Sequence, residues 1–242
     1  MRTPLLSVVR TLSAGLKPVI VFGVAFHVFG VLILTPLFAV LLRGLIGVSG
    51  RMAVSNADLA AYFLTPVGLA WLVVFATTEL MLLLGQQAGF LQIARAVRAG
   101  SSLSLVQVGT ATIGCLPRLF GMALIQSLVV LGLLALFGFV LAAIYWLLLS
   151  GADINYHLAE RSAGFWMALG LVAPATAALL GALILIFTRW ILALPICVFE
   201  GGTWRGPLRQ SWKATRAHVR PIGILLIGWF AGASGLLVLA AV

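Results

Sequence analysis

Apolar residues in this chain neither alternate nor recur as one helical stripe; they fill whole windows. Five windows, residues 18–42, 67–94, 119–149, 165–188 and 221–242, are almost free of charge. Each is long enough to cross a hydrocarbon layer about 30 Å thick, which takes about 20 helical residues. In hydrocarbon every backbone N–H and C=O must find its partner within the segment, so the pattern predicts an all-α, polytopic transmembrane helical bundle of about five spans. The first window is too long for a signal-peptide core and no small-residue cleavage site closes it, so it reads as retained. Pro36 and Pro174 fall inside spans, where kinks are tolerable if neighbouring groups satisfy the freed carbonyls.

The connections carry their own patterns. Ser55-Asn56-Ala57-Asp58 has the spacing of a capping box. It is expected to open a short interfacial helix presenting Leu59, Tyr62 and Phe63 to the membrane, which Pro66 ends while starting the second span. Residues 198–218, "VFEGGTWRGPLRQSWKATRAH", are the most charged stretch. At helical spacing Arg209, Lys213, Arg216 and Arg220 form one stripe, and Leu208, Trp212, Thr215 and Val219 the stripe beside it. That is an interfacial amphipathic helix whose basic side meets anionic lipid headgroups, at about 1 kcal/mol per residue near the surface. The second and fourth connections share a basic or small-residue stretch, then a proline (Pro117, Pro221), then a glycine-bearing span, a likeness too weak to define a repeat.

Composition narrows the class. The 242 residues are 63% hydrophobic and 8% charged, and mean hydropathy is +1.20. A soluble chain is nearer half apolar with about a quarter charged, so the chain reads as one membrane domain over residues 1–242. A net charge of +10 would suit nucleic acid only on a soluble basic module, which is absent. The charges punctuate the spans instead. Arg2, Arg10 and Lys17 precede the first; Arg95, Arg98 and Arg118 follow the second; Arg205, Arg209, Lys213, Arg216 and Arg220 follow the fourth. Against these eleven, the other connections hold Arg43, Arg51 and Arg161. The asymmetry predicts a cytoplasmic N-terminus, and Tyr62, Trp71, Tyr145, Trp146 and Trp166 outside with Trp190, Trp204 and Trp212 inside would be the interfacial belts. Cys115 and Cys197 have no metal or disulfide spacing and read as small apolar fillers.

Among chemical candidates, Glu79 is the acid nearest the middle of a span. A carboxylate at that depth is costly enough to mark function or a structural partner. His27 is its expected partner, placed at a common depth on a face shared with Gly23 and Gly30, where another helix approaches closely. A stabilising interhelical hydrogen bond is the favoured role, with a proton or substrate relay as the sharper alternative. Asp153, His157 and Glu160 share one connection but lack a second cluster to complete a metal site, so a solvated loop is expected. Gly228 and Gly232 have the spacing of a helix-packing motif. No paired carboxylates, nucleophile–base pair or phosphate-cradling glycine loop is present, so no catalytic residue, cofactor or metal ligand is assigned.

Three stretches together carry a resemblance: "LILTPLFAVLLRGLIGVSGRMAVSNADLAAYFLTP" (32–66), "ADINYHLAERSAGFW" (152–166) and "RWILALPICVFEGGTWRGPLRQSWKATR" (189–216). In this order they resemble the membrane domain N-terminal to the catalytic domain in some bacterial glycerophosphoryl diester phosphodiesterases. The likeness covers nearly the whole chain. Where the pattern often has a second tyrosine in the outer loop, this chain has His157. The resemblance implies a bacterial plasma membrane and a separate barrel domain hydrolysing glycerophosphodiesters with a divalent metal. That domain's histidine–arginine–glycine start is absent, since His27, His157 and His218 precede Val28, Leu158 and Val219. The chain stops at Val242 within apolar sequence, and a fragment lacking its C-terminal catalytic domain is expected. Anchoring that hydrolase, and holding lipid-derived substrate for it, is the implied role. A transporter-like bundle using Glu79 and His27, or a structural scaffold, is the rival.

Overall fold

The computed structural model describes residues 4–49, 55–101, 104–151, 154–160, 162–201, 203 and 205–241. The described residues form helices without strands: α1 (Pro4–Ser49), α2 (Asn56–Phe63), α3 (Pro66–Arg98), α4 (Leu105–Leu148), α5 (Ile154–Glu160), α6 (Ala163–Trp190), α7 (Ala193–Phe199), α8 (Gly206–Ala214) and α9 (Val219–Ala241). This is the helical membrane bundle of about five spans that the windows predict. Four helical runs, Leu16–Gly47, Pro66–Arg98, Leu105–Leu148 and Ala163–Phe199, are long and apolar enough to cross a membrane, and a shorter apolar run covers Val219–Trp229 in α9.

Several helices outrun their windows. α4 has 44 residues, about 66 Å at 1.5 Å per residue, roughly twice the hydrocarbon thickness. Its first turns, expected as a connection, are helical because Ser104 and Gln107 form a reciprocal cap. The Gln107 N–H donates to Ser104 Oγ at 3.2 Å, and the Ser104 N–H to Gln107 Oε1 at 3.0 Å. Pro117 therefore lies inside a helix rather than at the head of one. The apolar run that begins in α6 breaks after Trp190 and resumes as α7. Pro195 explains the break: its ring would clash with the carbonyl four residues back, that of Ile191.

One compact unit comprises residues 1–127 and 193–210. Within it α1 packs antiparallel on α3, with α2 and α7 also against α3. Phe22, Ile93 and Val108 form its core, with Val19, Phe26, Phe90 and Val97 packed around them. Close approach depends on glycine. A Cβ on Gly89 would enter the Phe22 ring, and one on Gly85 would stand 2.9 Å from Phe26 Cζ. The α2–α3 corner is equally tight. The expected capping box is present, with Asp58 N–H donating to Ser55 Oγ at 3.2 Å and Ser55 N–H to Asp58 Oδ2 at 3.0 Å. Thr65 then caps α3 by accepting from the Gly68 N–H at 3.0 Å, with Pro66 at the first helical position. Tyr62 corrects the sequence reading. It is 2% exposed, and its hydroxyl closes on Gly44 of α1 instead of facing lipid. Leu59 and Phe63 are partly buried.

The second unit comprises residues 128–192 and 211–242, in which α9 packs on α6 and α5 joins the start of α6. Gly223 of α9 lies against Ile184 and Thr188 of α6.

Candidate functional site

The expected intramembrane pair does not assemble. Contacts between α1 and α3 fix their register: Gly23 meets Phe90 and Gln86, Phe26 meets Gly85, Gly30 meets Leu82 and Phe38 meets Phe75. That register sets His27 level with Gly85, and Glu79 level with Ile33. The offset is six residues, about 9 Å. Counting along the second span gives the same answer. Glu79 stands fifteen residues, about 22 Å, from Ala94, whereas His27 stands nine, about 13 Å, from Pro18. Helical side chains tilt toward the N-terminus, so on antiparallel helices the two diverge further. The face argument fails for a related reason. Gly23 and Gly30 do meet α3, but the contact face is centred toward Phe22 and Phe26, roughly 85° around the helix from His27. Both His27 and Glu79 are exposed. A polar link across this interface comes from Gln86, whose Nε2 donates to the Gly23 carbonyl at 3.4 Å.

His157 is better occupied than a loop residue need be. Its Nδ1 lies 2.8 Å from Ser162 Oγ, which also caps α6 by accepting from the Phe165 N–H at 3.3 Å. Asp153 lies outside the described residues, and Glu160 is exposed.

The basic stripe is shorter than its periodicity suggests. α8 ends at Ala214, so it carries Arg209 and Lys213; Arg216 lies in the following turn and Arg220 in the first turn of α9. All four side chains are exposed. The stripe expected to face the membrane packs in part on protein. Leu208, Ser211 and Thr215 are buried, while Trp212 is 45% exposed. A residue left out of the charge count explains why. Arg189, just beyond the fourth window, stacks its guanidinium 5.0 Å from the Trp212 ring centroid and donates to the Trp212 carbonyl at 3.3 Å. Ser211 Oγ donates in return to the Arg189 carbonyl at 2.6 Å.

The first unit holds a cleft of 360 Å³ where α3 ends, lined among others by Gln92, Arg95, Ser101, Cys115 and Phe199. Local rules build each wall. α3 closes with Gly100 at φ 69°, a left-handed residue that lets the Gly100 N–H reach the Val97 carbonyl and the Ser101 N–H reach that of Ala96, at 3.2 and 3.0 Å. Arg95 reaches across to α7, its guanidinium carbon 5.3 Å from the Phe199 ring centroid. α7 ends at a second left-handed glycine, Gly201 at φ 73°. Arg118 of α4 ties it there, donating through Nη1 to the Cys197 carbonyl at 3.5 Å, with Nη2 3.9 Å from Cys115 Sγ. The two cysteines thus flank one arginine, a role beyond filling space.

This cleft was not legible in the sequence. Its parts lie about a hundred residues apart, and only the return of α7 to α3 brings Phe199 against Arg95.

A family model described as the membrane domain of glycerophosphoryl diester phosphodiesterase matches residues 5–242. No curated protein and no solved structure matches the chain.

Proposed function

Because the chain belongs to the family of membrane domains of glycerophosphoryl diester phosphodiesterases, we propose that it anchors a phosphodiesterase domain in the bacterial plasma membrane, its own N-terminus cytoplasmic. The observation that carries this reading is the helical content itself: four runs long and apolar enough to span, and a further, shorter apolar run in α9. The exposed side chains of Arg209, Lys213, Arg216 and Arg220 supply the lipid-facing charge, meeting anionic headgroups at the cytoplasmic surface. Turnover belongs to the partner domain, whether or not it lies on the same chain. No cofactor is assigned to the membrane domain. Its contribution is position, keeping the hydrolase where glycerophosphodiesters are released from lipid.

The test is a fusion of this chain ahead of a soluble glycerophosphodiester phosphodiesterase, followed by alkaline carbonate washing of the membranes. Glycerol phosphate release should stay with the washed membrane and be absent from the unfused chain supplied with Mg²⁺ or Ca²⁺. Activity recovered in the supernatant, or from the unfused chain, would refute the assignment.

A further inference from the structure

We propose that the cleft at the end of α3 binds the phosphodiester group of a lipid-derived amphiphile. One guanidinium lines it, that of Arg95 over Phe199, and a second lies behind the lining, that of Arg118, 3.9 Å from Cys115 Sγ. Neither has a carboxylate partner among the described residues. An arginine held in place without an acid is a ready anion site, because its planar fork matches phosphate oxygens. Gln92 adds an amide and Ser101 a hydroxyl to the lining.

The ends of α3 and α7 both point toward this region, and helix C-termini ordinarily repel anions. Here much of that negative character is already engaged. The carbonyls of Arg95, Ala96 and Val97 accept from the N–H groups of Ala99, Ser101 and Gly100, and Ser101 Oγ also donates to Ala96. The carbonyls of Ile196 and Cys197 accept from Glu200 N–H and from Arg118. Glu200 is the nearest acid in sequence; its side chain is exposed and does not line the cleft. What remains free to interact is cationic.

The rest of the lining is apolar, including Ala96, Cys115, Val198 and Phe199. A lining that joins one cation and two polar side chains to apolar ones suits a head group that still carries, or has just lost, acyl chains. The anchoring proposal supplies only the choice of a phosphodiester over other anions; the site itself rests on the geometry.

The experiment uses the whole purified chain in dodecyl maltoside micelles, which carry no phosphate, with binding followed by thermophoresis. The probes are glycerophosphocholine, lysophosphatidylglycerol below its micellar concentration, and inorganic phosphate. At least one phosphodiester probe should bind saturably, and Arg95→Gln should weaken it about tenfold or more, the loss expected for one charge-assisted hydrogen-bond pair. Ala99→Trp keeps every charge but fills the cleft, and should weaken binding as much. Arg98→Gln, an exposed charge on the same turn outside the lining, should leave it unchanged. Thermal unfolding of each variant confirms that the fold is retained.

Glycerophosphocholine binding identifies a substrate-holding site, and lysolipid binding alone identifies a headgroup site; either supports the proposal. Binding of inorganic phosphate alone or of no probe, equal losses in Arg95→Gln and Arg98→Gln, or none in Ala99→Trp, would overturn it. The carbonate-wash experiment does not involve Arg95, so anchoring and ligand binding fail separately.

Discussion

Adding one methyl group at Gly89 should loosen the first unit, and the structure sets the size of the effect. A Cβ there enters the Phe22 ring, which is 6% exposed and bounded by Phe26 and Phe90, with centroids at 5.6 and 6.1 Å. The ring is nearly enclosed, so overpacking falls near the upper end of its usual range, about 3 kcal/mol. Alanine returns up to about 1 kcal/mol in helix propensity, leaving a net loss of roughly 2 kcal/mol. Gly114 is the control: on α4 in the same unit, it has nothing within 4 Å of an added Cβ. Gly114→Ala should therefore be neutral or stabilising by up to about 1 kcal/mol. The assay is unfolding in mixed micelles by titration with sodium dodecyl sulfate, followed by circular dichroism. Phe22→Leu removes the ring, so the double variant Gly89→Ala/Phe22→Leu should lose less than the sum of the singles. Indistinguishable midpoints for Gly89→Ala and Gly114→Ala, or strict additivity with Phe22→Leu, would mean the α1–α3 approach is not as close as described.

Other outcomes follow from the same contacts. Glu79→Leu and His27→Leu, about 9 Å apart along the helix axes, should combine additively within about 0.5 kcal/mol in the same titration; coupling above about 1 kcal/mol would restore the direct pair. Ser55→Ala removes the capping box of α2, costing about 1 kcal/mol locally. Deuterium uptake across residues 56–60 should rise by mass spectrometry, and unchanged uptake would contradict the cap. For topology, single cysteines at positions 153 and 213 in a cysteine-free background should label from outside the cell at the first and not at the second. The reverse pattern would invert the orientation.

Local signals in the sequence translated directly into structure. Ser55 with Asp58, and Thr65-Pro66, act within four residues of themselves, so no tertiary context could override them. Ser104 with Gln107 is the same kind of signal; the flanking residues are small and polar enough to resemble a loop, which hid the first turns of α4. Helix faces were less legible. Periodicity says which residues share a stripe, not which stripe meets a neighbour, so Tyr62, expected at the membrane, is buried against α1 instead. The basic stripe failed at Ala214 because cations three or four residues apart keep that spacing in sequence across a helix break. The cleft needed Arg95, Arg118 and Phe199 together, and that depends on a chain return that no short window encodes.

That return also sets an order of assembly. The first unit is interrupted in sequence: residues 128–192 intervene before α7 rejoins α3. Neighbouring helices α1, α2 and α3 can pair as soon as they are synthesised, since their contacts close over short loops. The wall containing Phe199 is added only after about a hundred more residues have emerged, at the translation rate of about 5–20 residues per second. For those several seconds a nascent chain would display an α3 end with its arginines but without the aromatic ring that Arg95 stacks on. The binding region is thus the last part of its unit to be completed, and any interruption of synthesis before Phe199 would leave a paired helical hairpin with an open side.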